Sequence, residues 1–82
     1  MEAQFNGHKI ISDKYYCIRG NVIDLEDIES IVPEYHNNHR SIYLKVIKKN
    51  KGKNIIKMQN KQEYNYTIKA INLLTKLKLE EI

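Results

Sequence analysis

The stretch from Asn60 to Leu79 contains neither glycine nor proline and repeats its apolar side chains every three to four positions. That period belongs to a helix turning ~100° per residue. Asn60 is a favourable N-cap, and Glu63 stands three residues on, the spacing of a capping box. The pattern predicts a helix from about Lys61 to Leu79, and every other element has to pack around it.

The same segment carries more apolar surface than one sheet needs. Tyr64, Ile68, Ile71 and Leu74 form one stripe, and Tyr66, Ala70, Leu73 and Leu77 form a second, displaced around the axis. Lys61, Asn65, Lys69, Asn72 and Lys76 remain as the polar side. A helix lying on a single sheet shows an apolar arc only a little wider than ~100°. Two readings follow. Either the sheet curls round the helix and buries both stripes, or the second stripe meets another protein or a second copy of the chain.

The first half reads as strands. His8 to Ile11 is a short one, broken by Ser12-Asp13. Tyr15 to Arg19 and Val22 to Leu25 flank Arg19-Gly20-Asn21, where Gly and Asn supply the positive φ of a tight hairpin turn. Leu25, Ile28 and Ile31 or Val32 recur at helical spacing behind Asp24, Glu26 and Asp27, predicting a short helical turn near residues 26–32 that Pro33 ends. Glu34 to His39 reads as a polar loop. Ser41 to Lys48 alternates, with Ile42, Leu44 and Val46 on one face. Asn50-Lys51-Gly52-Lys53 is a turn, and Asn54 to Met58 returns as the partner strand. The expected fold is a single α+β domain over residues 1–82: a bent antiparallel sheet of four to five strands packed by one C-terminal helix.

At 82 residues the chain buries only about 60–65% of its unfolded surface, leaving little material for a deep pocket. Cys17 is the sole cysteine, so neither an intrachain disulfide nor a thiolate metal cluster can form. It reads as a small apolar residue in a strand, and the expected setting is cytoplasmic. The first nine residues lack the apolar core of a signal peptide. No apolar run approaches the ~20 residues of a membrane span.

Charge is blocked along the chain. Residues 1–34 carry seven acids and three bases, residues 35–62 carry Arg40 and seven lysines with no acid, and residues 63–82 carry three of each. Such polarity suits an anionic partner. Lys, Ile and Asn together supply 34 of the 82 residues, a bias typical of low-GC coding sequence, so lysine abundance alone argues little. Tyr43, Lys45, Lys48, Lys49, Lys51, Lys53 and Lys57 crowd one hairpin beside Arg40. A lysine-tipped ribbon can follow a phosphate backbone, although lysines on an edge strand also prevent unwanted pairing.

Catalytic constellations are poor. Glu34, His36 and His39 are the nearest thing to metal ligands, but they read as a solvated loop, and zinc needs four ligands or three and a water. Asp24, Glu26, Asp27 and Glu29 point in different directions with no nucleophile beside them. There is no phosphate-cradling glycine loop and no Ser/His/Asp set. The expectation is a non-enzymatic chain with no cofactor and no metal.

The segment Asn21-Val22-Ile23-Asp24-Leu25-Glu26-Asp27-Ile28-Glu29-Ser30-Ile31, followed by the lysine-tipped hairpin Ile42 to Met58 and the closing helix Gln62 to Leu77, resembles small bacterial and phage proteins with a pleckstrin-homology-like fold. The resemblance implies a bent antiparallel sheet capped by a C-terminal helix, and a role in binding proteins or phosphorylated headgroups. The function expected is a small protein-interaction or regulatory module, from a phage or other mobile element, using either the helix face of Tyr66, Ala70, Leu73 and Leu77 or the basic hairpin. The alternative is nucleic-acid binding through Arg40, Tyr43 and the hairpin lysines.

Overall fold

The computed structural model describes residues 5–82. It is α+β: six antiparallel strands in two three-stranded sheets, with one α-helix near the C-terminal end. The first sheet contains β1 (His8–Ile10), β2 (Tyr15–Ile18) and β3 (Asn21–Asp24) in that order. A single 3-10 turn, Leu25–Asp27, leads into the second sheet of β4 (Ile28–His36), β5 (Ser41–Lys48) and β6 (Lys53–Met58). α1 (Lys61–Leu74) packs against β5 and β6.

One core joins both sheets to the helix. Tyr16, Ile18 and Ile23 come from the first sheet, Leu44, Val46, Ile56 and Met58 from the second, and Tyr64, Ile68 and Ile71 from α1. The inward set of β5 is the alternating Ile42, Leu44 and Val46 that the sequence pattern predicts. Alternate side chains leave opposite faces of a strand, so Tyr43, Lys45 and Ile47 lie on the outer face.

Four local expectations are corrected. The helical turn near residues 26–32 shrinks to Leu25–Asp27, held by the Glu26 N–H donating to the Asp24 carboxylate at 3.0 Å. From Ile28 onward the chain is a nine-residue strand that runs through Pro33. The register between β4 and β5 shifts between Ile28 and Ser30, and such a bulge resets the alternation. Ile28 and Ile31 therefore both face the core, mimicking a helical three-residue spacing. Pro33 is tolerated because β4 is an edge strand, where proline is accommodated.

In the β2–β3 turn the positive φ values belong to Arg19 and Gly20, with Asn21 already in β3. The loop expected over Glu34 to His39 narrows to residues 37–40, where Asn37, Asn38 and His39 are all left-handed. These residue types tolerate that region better than most.

α1 begins as predicted. The Asn60 side chain accepts from the Glu63 N–H at 2.9 Å, while Glu63 Oε1 accepts from the Gln59 N–H at 2.6 Å. It ends five residues short of Leu79. Thr75 turns extended, and both its N–H and its hydroxyl donate to the Ile71 carbonyl, at 2.9 and 2.8 Å. β-Branching lowers helix propensity, and the hydroxyl supplies a local alternative to continuing the helix. Leu77 is consequently not helical. It lies in a tail, residues 75–82, and packs partly against the core beside Leu79.

Candidate functional site: a groove along the helix

The tail turns back along α1 and is fastened there by two asparagines. The Leu79 N–H donates to Asn72 Oδ1 and the Asn72 amide donates to the Leu79 carbonyl, each at 2.9 Å. Ile82 makes the same exchange with Asn65, at 2.8 and 3.3 Å. Seven helical residues rise about 10.5 Å and three extended residues span about 10 Å, so the two clamps fall in step. Lys69 Nζ adds a contact of 3.9 Å to Glu81.

Between this tail and the first sheet runs an open groove of about 700 Å³. Phe5 and Ile10 line one side, Tyr66, Ala70, Leu73 and Leu74 form its helical floor, and Glu81 stands at the rim. The expected second stripe thus divides. Tyr66 is half-covered, with the Phe5 and His8 rings packed edge-on to it at 5.5 and 5.4 Å. Ala70 is half-buried, and Leu73 is 88% exposed. The first sheet curls over part of the stripe and stops short of the rest. Ile10, which lines the groove, is also about half exposed.

Beneath the groove lies a polar cluster that the sequence does not announce. Glu63, fully buried, accepts at Oε2 from Arg19 at 2.6 Å and pairs with His8 Nε2 at 2.7 Å. His8 Nδ1 is 2.6 Å from the buried Tyr16 hydroxyl. With Nε2–H donating to the carboxylate, Nδ1 accepts from the phenol, and all members are satisfied. The Arg19 guanidinium also donates to the Lys57 carbonyl. Burial works against a charged Glu63, but hydrogen bonds from Arg19, the Gln59 N–H and His8, together with the Arg19 charge, hold its carboxyl below the ordinary range. Burial, reinforced by Tyr66 and Glu63, raises the Tyr16 phenol. A smaller hollow of about 190 Å³, shared by His8, Tyr16 and Tyr66, joins this cluster to the groove.

The arrangement of hydroxyl, imidazole and carboxylate has the order of a nucleophilic triad, yet Tyr16 is 1% exposed. A reacting group has to reach its substrate, whereas this hydroxyl is already engaged by His8 and borders only the small hollow. The cluster ties β1, the β2–β3 turn and α1 together. No sequence signal brings its members together: Glu63 lies 55 positions from His8 and 44 from Arg19.

The basic residues spread over the second sheet rather than forming one patch. Arg40 is in the β4–β5 loop, and Lys48, Lys49 and Lys51 surround the β5–β6 turn at the opposite end. Tyr43, Lys45, Lys53 and Lys57 share the outer face. Lys45 is not free, since its ammonium lies 3.6 Å from Glu34. His36 pairs with the same carboxylate at 3.0 Å, and its ring sits edge-on to Tyr43 at 4.8 Å. The hydrogen bond from His36 holds Glu34 below the ordinary carboxylate range, with partial burial opposing it and the Lys45 charge assisting. His39 leans on Tyr35 instead, 5.0 Å away, so His36 and His39 do not converge. Among the described residues no three His, Cys, Asp or Glu side chains gather as metal ligands.

No helix among the described residues is long and apolar enough to cross a membrane. No family model, curated protein or solved structure matches the chain.

Proposed function

We propose that this chain is a small non-enzymatic protein-interaction module that holds an extended, apolar segment of a partner polypeptide in the groove along α1. The observation that carries the reading is the groove itself: Phe5, Ile10, Tyr66, Ala70, Leu73 and Leu74 line one continuous hollow, although soluble chains seldom leave contiguous apolar surface open. Its shape argues for a partner other than a second copy. A two-fold pair is self-complementary, and two such grooves facing each other set hollow against hollow. The neighbouring tail argues for extended backbone, because α1 already carries residues 79–82 in that form along its adjacent flank. A cytoplasmic setting and a pleckstrin-homology-like fold, with two sheets closed by a helix, belong to the same proposal.

The test is selection of random ten-residue displayed peptides on the whole protein. Recovered peptides are expected to lose binding to Leu73→Glu and to Ala70→Gln, with the melting temperatures of both variants near that of the parent. Peptides indifferent to both substitutions would place the docking surface elsewhere. A dimer in light scattering that Leu73→Glu splits would make a second copy the occupant and overturn the proposal.

A further inference from the structure

α1 packs on one face of the second sheet, and among the described residues no element lies over the outer face. Its register sets out the surface row by row. Glu34, Tyr43 and Lys57 lie side by side across the three strands, then Val32, Lys45 and Ile55, then Ser30, Ile47 and Lys53. His36 and Arg40 close one end, and Lys48, Lys49 and Lys51 close the other.

Two properties of this face do not fit a merely solvated sheet. Around Lys45, whose ammonium is held by Glu34, its middle rows are apolar and aromatic: Val32 and Ile55 on either side are 39% and 50% exposed, and the half-buried Tyr43 ring stands in the next row with His36 edge-on. Its periphery is basic, and the one acid in these rows, Glu34, is already engaged by Lys45 and His36. β5 spans about 26 Å from the Arg40 end to the lysine tip, so cations stand at both ends of the aromatic strip and along the β6 edge between them.

We propose that this face binds single-stranded nucleic acid, with one base stacked on Tyr43, its neighbours laid over Val32 and Ile55, and the phosphates following Arg40, Lys57, Lys53 and the tip lysines. Stacking platforms combined with a cationic track are the general means of holding single strands. A duplex keeps its base faces within its own stack and cannot use Tyr43. An acidic polypeptide would use the lysines but gain little from the half-buried Tyr43 ring and from the valine and isoleucine of the next row. The proposal is independent of the groove, which lies on the helix side of the molecule.

The experiment is fluorescence anisotropy of the whole protein with labelled dT12, with a 12-base-pair duplex and with a twelve-residue polyglutamate peptide. With about four phosphates neutralised, affinity for dT12 should fall about 50-fold between 50 and 200 mM salt. Tyr43→Leu should weaken dT12 about tenfold through lost stacking while leaving the salt dependence in place. Lys53→Ser combined with Lys57→Ser should flatten it. Should Tyr43→Leu fail to fold, ultraviolet crosslinking of dT12 to the parent protein decides the matter, with adducts expected on Tyr43 and adjoining β5 and β6 residues. Duplex or polyglutamate binding as tightly as dT12, indifference to Tyr43→Leu, crosslinks confined to the lysine tip, or no binding at 50 mM salt would each overturn the proposal.

Discussion

His8 and Glu63, 55 positions apart, meet through a hydrogen bond of 2.7 Å in which the carboxylate is fully buried and also grips Arg19. The contact joins the strand that opens the described fold to the first turn of its helix, where a negative charge also suits the helix dipole. Replacing Glu63 with Gln should therefore loosen the first sheet from α1 as well as remove a charge. Breaking a buried pair costs about 3–5 kcal/mol when the remaining charge is stranded. Arg19 is a third exposed and can turn to water, so a loss of about 2–3 kcal/mol is expected. At ~4–8 °C per kcal/mol for a domain this small, the melting temperature followed by circular dichroism should fall by about 8–24 °C. An unchanged melting temperature would mean that the cluster holds nothing together.

The same carboxylate gives the fold an acid limit. Glu63 titrates below its ordinary value of 4.5 in the folded chain. Between that value and the lower folded one, the unfolded chain takes up a proton that the folded chain does not. Stability from this group is thus complete above about pH 4.5 and is lost as the pH falls through the folded value. Glu34 shifts in the same direction, but its partners lie at the surface, where ion pairs contribute little. Melting temperatures measured from pH 7 to pH 3 should drop steeply below pH 4.5 in the parent and less steeply in Glu63→Gln. Parallel curves would assign the acid sensitivity to other groups.

Two glycines separate steric crowding from backbone strain. Gly7 and Gly20 have nearly equal positive φ, 86° and 83°. A Cβ on Gly7 would stand 2.7 Å from Arg19 Cγ, whereas one on Gly20 meets nothing within 4 Å. Gly20→Ala should cost about 1 kcal/mol, the left-handed penalty alone. Gly7→Ala must in addition displace the side chain that holds Glu63, so a loss of about 2–3 kcal/mol is expected, combining that penalty with disturbance of a buried pair. Urea titrations of the two variants measure the gap directly, and equal midpoints would show that Arg19 moves aside freely.

The elements that sequence pattern predicts well are those whose partners are local. The Asn60–Glu63 cap, the Ile42–Leu44–Val46 alternation and the β5–β6 turn each follow from neighbours within a few positions. The stretch from Leu25 to His36 misleads because the bulge at Ile28/Ser30 gives a strand the spacing of a helix, and β5 then fixes it as a strand. The helix end is misplaced because Leu77 and Leu79 continue the apolar period after Thr75 has left the helix. Of the second stripe, Tyr66, Ala70 and Leu73 do share a groove, but Phe5 and Ile10 opposite them come from far earlier in the chain. The buried His8–Glu63–Arg19 set depends wholly on tertiary approach, which no periodicity encodes.

The tail offers a test of how that helical flank holds extended chain. Asn65 and Asn72 each exchange two hydrogen bonds with one tail residue, an arrangement that imitates a strand ladder with side-chain amides. Each hydrogen bond is worth about 0.5–1.5 kcal/mol net, with the exposed Asn65 pair at the lower end. Asn72→Ala should cost about 1–2 kcal/mol, since Leu77 and Leu79 also pack on the core, while Asn65→Ala should stay within about 1 kcal/mol. The sharper readout is local. Amide hydrogen exchange at Leu79 should accelerate in Asn72→Ala and at Ile82 in Asn65→Ala, with the β5 amides left as slow as in the parent. If exchange at Leu79 and Ile82 is fast in the parent and unaltered by either substitution, the clamps do not fasten the tail in solution. The groove would then lose one of its walls, and with it the argument that its occupant is extended.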